Sequence, residues 1–216
     1  MRRRWVVTAI VTAVSLVTLL GLLIVQRDSP VGIDDEWLEE LLDERGPWWD
    51  VPALFMDWLG GGIVGIVVVP IAIIVVLLVA RRPWGALVFA LASVLSAGLV
   101  QLLKGFIGRA RPEDMLVTSD VGSFPSGHVA NAATLAIVLA LLFALSRDRW
   151  WVWMLALAYI VAMALSRTYL GVHWLTDTIA GAVLGAGVAV LVWLPFARRL
   201  EREPRAPRSR TTGSSA

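Results

Sequence analysis

Three short polar clusters interrupt a largely apolar chain, and together they hold its only lysine and both of its histidines. The first is Lys104-Gly-Phe-Ile-Gly-Arg-Ala-Arg111-Pro112, in which two cations seven residues apart can converge on one anion. Taken alone, Lys104 reads equally well as a helix-end cation snorkelling to water, and Arg111 as a solvated loop residue. The second is Phe124-Pro125-Ser126-Gly127-His128, which opens an apolar run. Ser126 is an expected N-cap there, and Gly127 lets a ligand approach the backbone. Unpaired N–H groups at a helix start attract an anion before any side chain is counted. The third is Ser166-Arg167, followed by His173 and Asp177. Residues four apart on a helix share a face, so Asp177 can hydrogen-bond one ring nitrogen of His173. The other nitrogen then keeps its lone pair for attack or proton abstraction. A purely structural His–Asp contact between helices is the alternative for this pair. Arg167 adds a planar fork that suits phosphate oxygens. Three cations, a helix N-terminus and two histidines together describe a pocket for a dense oxyanion.

Apolar elements must position these groups. Of 216 residues, 58% are hydrophobic and 17% charged, with a mean hydropathy of +0.75. Soluble domains run at about 45–50% apolar and about 25% charged, so a water-facing globule is excluded. Zero cysteines exclude a disulfide scaffold, a thiolate nucleophile and a zinc–thiolate centre. Crossing about 30 Å of hydrocarbon takes roughly 20 apolar residues. Six stretches qualify: Trp5–Val25, Leu59–Val79, Trp84–Leu103, His128–Leu145, Trp150–Leu165 and Thr176–Leu194. The expected fold is therefore all-α, an integral membrane six-helix bundle, with a kink at Pro70 in the second span. Ile33–Gly46 reads as a short extracytoplasmic amphipathic helix lying on the interface, with acids in its first turn. Gly61-x-x-x-Gly65 and Gly181-x-x-x-Gly185 permit close helix approach. Residues 1–200 form the membrane domain, and 201–216 a disordered basic tail attracted to anionic lipid.

The positive-inside rule orients this bundle. With the N-terminus cytoplasmic, thirteen Arg fall on inner segments and six cations on outer ones. Both termini are then cytoplasmic in the plasma membrane, and all three polar clusters lie at outer helix ends. Tryptophans gather near both ends of the spans, as an aromatic belt requires. The first span, at about 21 residues, exceeds the 7–15 of a signal-peptide core, so it is read as uncleaved.

Lys104-x6-Arg111-Pro112, Pro125-Ser126-Gly127-His128 and Ser166-Arg167-x5-His173-x3-Asp177 resemble, in order and spacing, the three motifs of the type 2 phosphatidic acid phosphatase superfamily. No motif position departs from the pattern. The resemblance implies a lipid phosphate phosphatase working through a phosphohistidine, with no metal or other cofactor. His173 would attack phosphorus and Asp177 orient it. His128 would protonate the leaving oxygen and then activate water. Lys104, Arg111, Ser126, Gly127 and Arg167 would hold the phosphoryl oxygens. Partners would be the bilayer and a lipid phosphate, with no nucleic acid. A lipid-linked phosphotransferase using the same site is the competing enzyme reading. A lipid or anion transporter is less apt, because transporters place such sites near the bilayer midplane.

Overall fold

The computed structural model describes residues 2–25, 32–119, 122–143 and 149–203, and no strand occurs among them. The helices are α1 (Arg2–Val25), α2 (Gly32–Asp43), α3 (Pro47–Gly60), α4 (Val69–Val79), α5 (Pro83–Ile107), α6 (Gly127–Phe143), α7 (Trp150–Tyr169) and α8 (Leu175–Leu200). Three described helices, α5, α7 and α8, are each long and apolar enough to cross a membrane. Alpha-helices suit that solvent because every backbone polar group is satisfied within the segment.

The stretch expected as a single span with a kink at Pro70 is built differently. Helix α3 ends at Gly60, and the chain bends by 49° before continuing as a π-helical turn, Val64–Val68, into α4. The N–H of Val69 reaches back five residues to Val64 O. Pro70 has no N–H to continue the ordinary ladder, which accounts for a slipped register just ahead of it. Carbonyls released by the break are taken up from α6: Asn131 Nδ2 donates to Gly65 O at 3.0 Å and Gly60 O at 3.4 Å.

Helix α6 is the centre of the bundle, packed by α5, α7 and α8. Its alanines make this possible, since Ala130, Ala132, Ala133 and Ala140 are fully buried. Lipid tails remove the hydrophobic drive between helices, so close fit and polar contacts must hold them together. The tightest approach is at Gly181 and Gly185 of α8. A Cβ on Gly181 would meet Ser126 O at 2.5 Å, and one on Gly185 would meet the Ala133 Cβ at 3.0 Å. Thr134 Oγ1 donates to Ser96 Oγ at 2.9 Å, tying α6 to α5 beside the same contact. These two glycines bring the start of α6 against the start of α8, and with it the second polar cluster against the third.

Helix α2 half-buries Trp37, Leu38, Leu41 and Leu42 and exposes Glu36, Glu39, Glu40 and Asp43. Its Asp34 is fully buried. At the opposite end of the molecule, Glu203, assigned to the tail from sequence, is 8% exposed. Its carboxylate accepts from the Trp84 N–H at 2.5 Å and lies 3.6 Å from Arg82 Nε. A carboxylate at a helix N-terminus satisfies orphan donors and the dipole, so the folded unit runs a few residues past 200. The remainder of the expected tail, 204–216, lies outside the described residues.

Candidate active site

All eight residues singled out from sequence lie around one end of the bundle. Lys104 comes from the last turn of α5, and Arg111 from the segment that follows it. Ser126, Gly127 and His128 open α6, Arg167 sits near the end of α7, and His173 and Asp177 flank the start of α8. A cavity of about 790 Å³ is lined by Lys104, Gly127, His128, Arg167 and His173. Arg111, Ser126 and Asp177 stand behind that wall.

His173 precedes α8 in the 170–174 turn, so its contact with Asp177 is not the same-face helical pairing expected from their spacing. Instead the Asp177 carboxylate folds back over the helix start. Its Oδ2 accepts from the Trp174 N–H at 3.0 Å and lies 3.5 Å from His173 Nδ1. That separation is longer than an ordinary hydrogen bond of 2.7–3.2 Å. On the far side of the ring, Nε2 faces Arg111 Nη1 at 3.4 Å. Arg111 is itself pinned, donating to Val172 O and, at 2.9 Å, to Gly122 O. Burial pushes the His173 imidazole well below its ordinary pKa; Asp177 opposes this, and Arg111 and Arg167 reinforce it. His173 is thus held neutral, with a lone pair, across ordinary pH.

Lys104 is 7% exposed and its Nζ donates to Gly122 O at 3.0 Å. The same carbonyl receives Arg111, so one backbone oxygen gathers two cations of the first cluster. Ser126 does not act as the expected side-chain cap. Its hydroxyl is buried and finds no hydrogen-bond partner among the described residues, while its N–H donates to Asp177 O at 3.0 Å. A buried hydroxyl left unsatisfied is costly and calls for a ligand or water.

Three charged residues outside the expected set complete the surroundings. Arg109 is 5% exposed and bridges two carboxylates: Nη1 meets Asp177 Oδ1 at 2.5 Å, and Nη2 meets Asp34 Oδ2 at 2.7 Å. Asp34 also accepts from the Thr176 N–H at 2.9 Å and its hydroxyl at 2.8 Å. Asp57, from α3, pairs with Arg167 Nη1, and its Oδ1 lies 3.4 Å from His128 Nε2. A signal for Asp57 existed, since a lone acid in an apolar run is a functional candidate by default. For Arg109 there was none, because it stands two residues from Arg111 in equally basic company.

A family model described as the PAP2 superfamily matches residues 85–201, more than half of the chain. The chain belongs to the PAP2 superfamily. Among similar proteins, phosphatidylglycerophosphatase B of Bacillus subtilis is 36% identical over 118 residues, covering 52% of this chain and 58% of that one. An undecaprenyl-diphosphatase of Sulfolobus acidocaldarius is 39% identical over 69 residues, covering 32% and 31%. This PAP2 chain thus spans about half the length of the curated relatives it matches. The crystal structure of a transmembrane PAP2-type phosphatidylglycerolphosphate phosphatase from Bacillus subtilis superimposes with a TM-score of 0.77 at 27% identity. That match covers 88% of this chain and 97% of the other. With its apolar helices, this PAP2 member is an integral membrane protein.

Proposed function

We propose that this protein hydrolyses a phosphate monoester or pyrophosphate on a membrane lipid, without a metal, through a phosphohistidine at His173. The observation that carries the reading is the environment of His173: a carboxylate behind Nδ1, a guanidinium beside Nε2, and His128, Arg167 and Lys104 on the same cavity. Names of the relatives point to the same substrate class, lipids bearing a phosphate or diphosphate.

In the first step the Nε2 lone pair attacks phosphorus and the bond to the leaving oxygen breaks. Protonated His128 supplies that oxygen's proton. Asp177 holds the Nδ1 proton and the positive charge the ring acquires. In the second step neutral His128 takes a proton from water, the resulting hydroxide attacks phosphorus, and the P–N bond breaks to release inorganic phosphate. Charge builds on the equatorial oxygens in both steps; Lys104 and Arg167 on the cavity wall would meet it, with Arg111, the Ser126 hydroxyl and the Gly127 N–H as further donors. Fixed cations here do the neutralising that magnesium does in kinases. Glycerophospholipid monophosphates and polyprenyl pyrophosphates both fit, with the headgroup in the cavity and the tails against apolar residues such as Ile63, Ile66 and Val94 that continue its wall.

The membrane layout is part of the proposal. Helices α5, α7 and α8, the bent α3–α4 pair, the 24-residue α1 and the 17-residue α6 make six spans. The charge count then puts the site on the extracytoplasmic side, with α2 at that surface.

Phosphate release from vesicles carrying phosphatidic acid, phosphatidylglycerol phosphate or a polyprenyl pyrophosphate, with EDTA present, tests the reading. Free inorganic phosphate in EDTA supports it. Activity lost to EDTA, or phosphate found on an acceptor lipid in place of water, would overturn it.

A further inference from the structure

The mechanism above leaves one charged group of the cavity without a task. Asp57 lines the same space as His128, Arg167 and His173, and its carboxylate touches two of them. One carboxylate oxygen, Oδ1, lies against both a guanidinium nitrogen of Arg167 and His128 Nε2, the contacts that an oxygen of a phosphoryl group would make. It therefore stands where substrate must go.

The two members of the Asp57–Arg167 pair differ in burial. The Arg167 side chain is 2% exposed, whereas that of Asp57 is 31% exposed and faces the cavity. Asp57 is also mounted three residues before the end of α3, where the chain bends by 49° at Gly60-Gly61-Gly62. The cation is buried, and the anion stands at a bend with cavity space beside it. Left in place beside a bound phosphoryl group, the carboxylate would oppose it, since like charges within a few ångströms repel strongly at low dielectric.

Building on the proposed hydrolysis, we infer that Asp57 is a positioning residue: before substrate arrives its carboxylate holds Arg167 and the His128 imidazole, and it yields both contacts to the phosphoryl group. The charged groups facing His128 are Asp57 from α3 and Arg167 from α7, with Lys104 of α5 and His173 of the α7–α8 turn on the same wall. Asp57 is the only anion among them. It gives the proton-donating form of His128 a counter-charge beside the nearby cations. Binding strength and acid strength are thereby set against one another. The same charge that arms His128 also competes with substrate for Arg167.

This opposition makes the test sharp. Full-length wild type, D57N and D57E are compared in two ways. Orthovanadate affinity is read by isothermal titration, which requires no turnover. The pH profile of kcat is read with phosphatidic acid in vesicles. D57N should bind vanadate about tenfold more tightly, while its kcat falls and the alkaline limb moves to lower pH by about one unit, the same tenfold factor in protonation. D57E should restore the limb to its wild-type position. A merely structural role would lower kcat at every pH without moving the limb and would not tighten vanadate. An unmoved limb, or vanadate binding equal to or weaker than wild type, overturns the inference. Should D57N not fold, Asp57→Ser serves in its place with the same criteria. Wild type that binds vanadate but releases no phosphate from any lipid would instead defeat the proposed function, and the titration would still judge Asp57.

Discussion

Gly61 offers a direct test of whether the His128 ring is where the chemistry needs it. The backbone there is extended, with φ −133° and ψ −171°, so alanine costs nothing in conformation. The consequence is local: an added Cβ would run into the His128 imidazole, meeting Cε1 at 2.5 Å and pressing on Nε2. Carbon atoms rest at about 3.5–4.0 Å, so the ring must withdraw by roughly 1 Å. A displacement of that size costs about 10²-fold in rate, within the about 10²–10⁴ that a placed general acid contributes. Gly61→Ala should therefore lower kcat by about 10²-fold while KM changes far less. Gly62→Ala is the control, because its Cβ would meet nothing within 4 Å and its φ of +55° costs only local strain, about 1–2 kcal/mol. It should lose some thermal stability and keep most of its activity. The assay is phosphate release against lipid phosphate concentration, with thermal unfolding of both variants in the same detergent. Folded Gly61→Ala protein within about threefold of wild-type kcat would refute the placement of His128 as the proton donor.

Three further outcomes are expected. His173→Ala should abolish turnover yet leave orthovanadate binding measurable by titration; near-normal activity would end the phosphohistidine proposal. Arg111→Gln removes the cation 3.4 Å from His173 Nε2, which helps hold that ring neutral. Protonation of His173 then becomes easier, so the acidic limb of the pH–rate profile should move to higher pH as kcat falls, and an unmoved limb counts against the assignment. Asp34→Ala strips a buried Arg109 of one of its two carboxylates. Breaking such a pair costs about 3–5 kcal/mol, so the midpoint of thermal unfolding should drop sharply; an unchanged midpoint would show that α2 is not anchored through this contact.

Much of the candidate site was legible because residue types able to carry chemistry are rare in this chain. One lysine and two histidines against an apolar background stand out without a fold, and their motif spacing resembles that of the superfamily to which the chain belongs. Hydropathy was equally informative for α5, α7 and α8, whose apolar runs fall inside the observed helices. It failed where a backbone detail decided the outcome. The run from Leu59 to Val79 reads as one apolar span, but the chain breaks at its three consecutive glycines and slips into a π-helical turn ahead of Pro70, and hydropathy registers neither. Pairings between distant segments were illegible for a different reason. Asp34, Arg109 and Asp177 are separated by 75 and 68 residues, and nothing local marks one acid among the several on α2 as the buried one. His173 shows the third kind of limit: its four-residue spacing to Asp177 suggested a shared helix face, whereas the contact depends on a carboxylate capping a helix start.

The close seating of α6 on α8 has a consequence for how such a protein can diversify. His173, Asp177 and the start of α6 are carried by two helices that touch through bare backbone at Gly181 and Gly185, leaving no slack for one to shift without the other. The opposite wall hangs from a divided helix whose loose carbonyls are caught by a single asparagine. On the proposed function, reaction geometry would be set by the closely packed half and the fit to a particular lipid by the divided one. Under the proposed function, changes along residues 63–74, beyond the glycines that touch His128, would retune which tail or headgroup is admitted with little effect on the phosphorus chemistry.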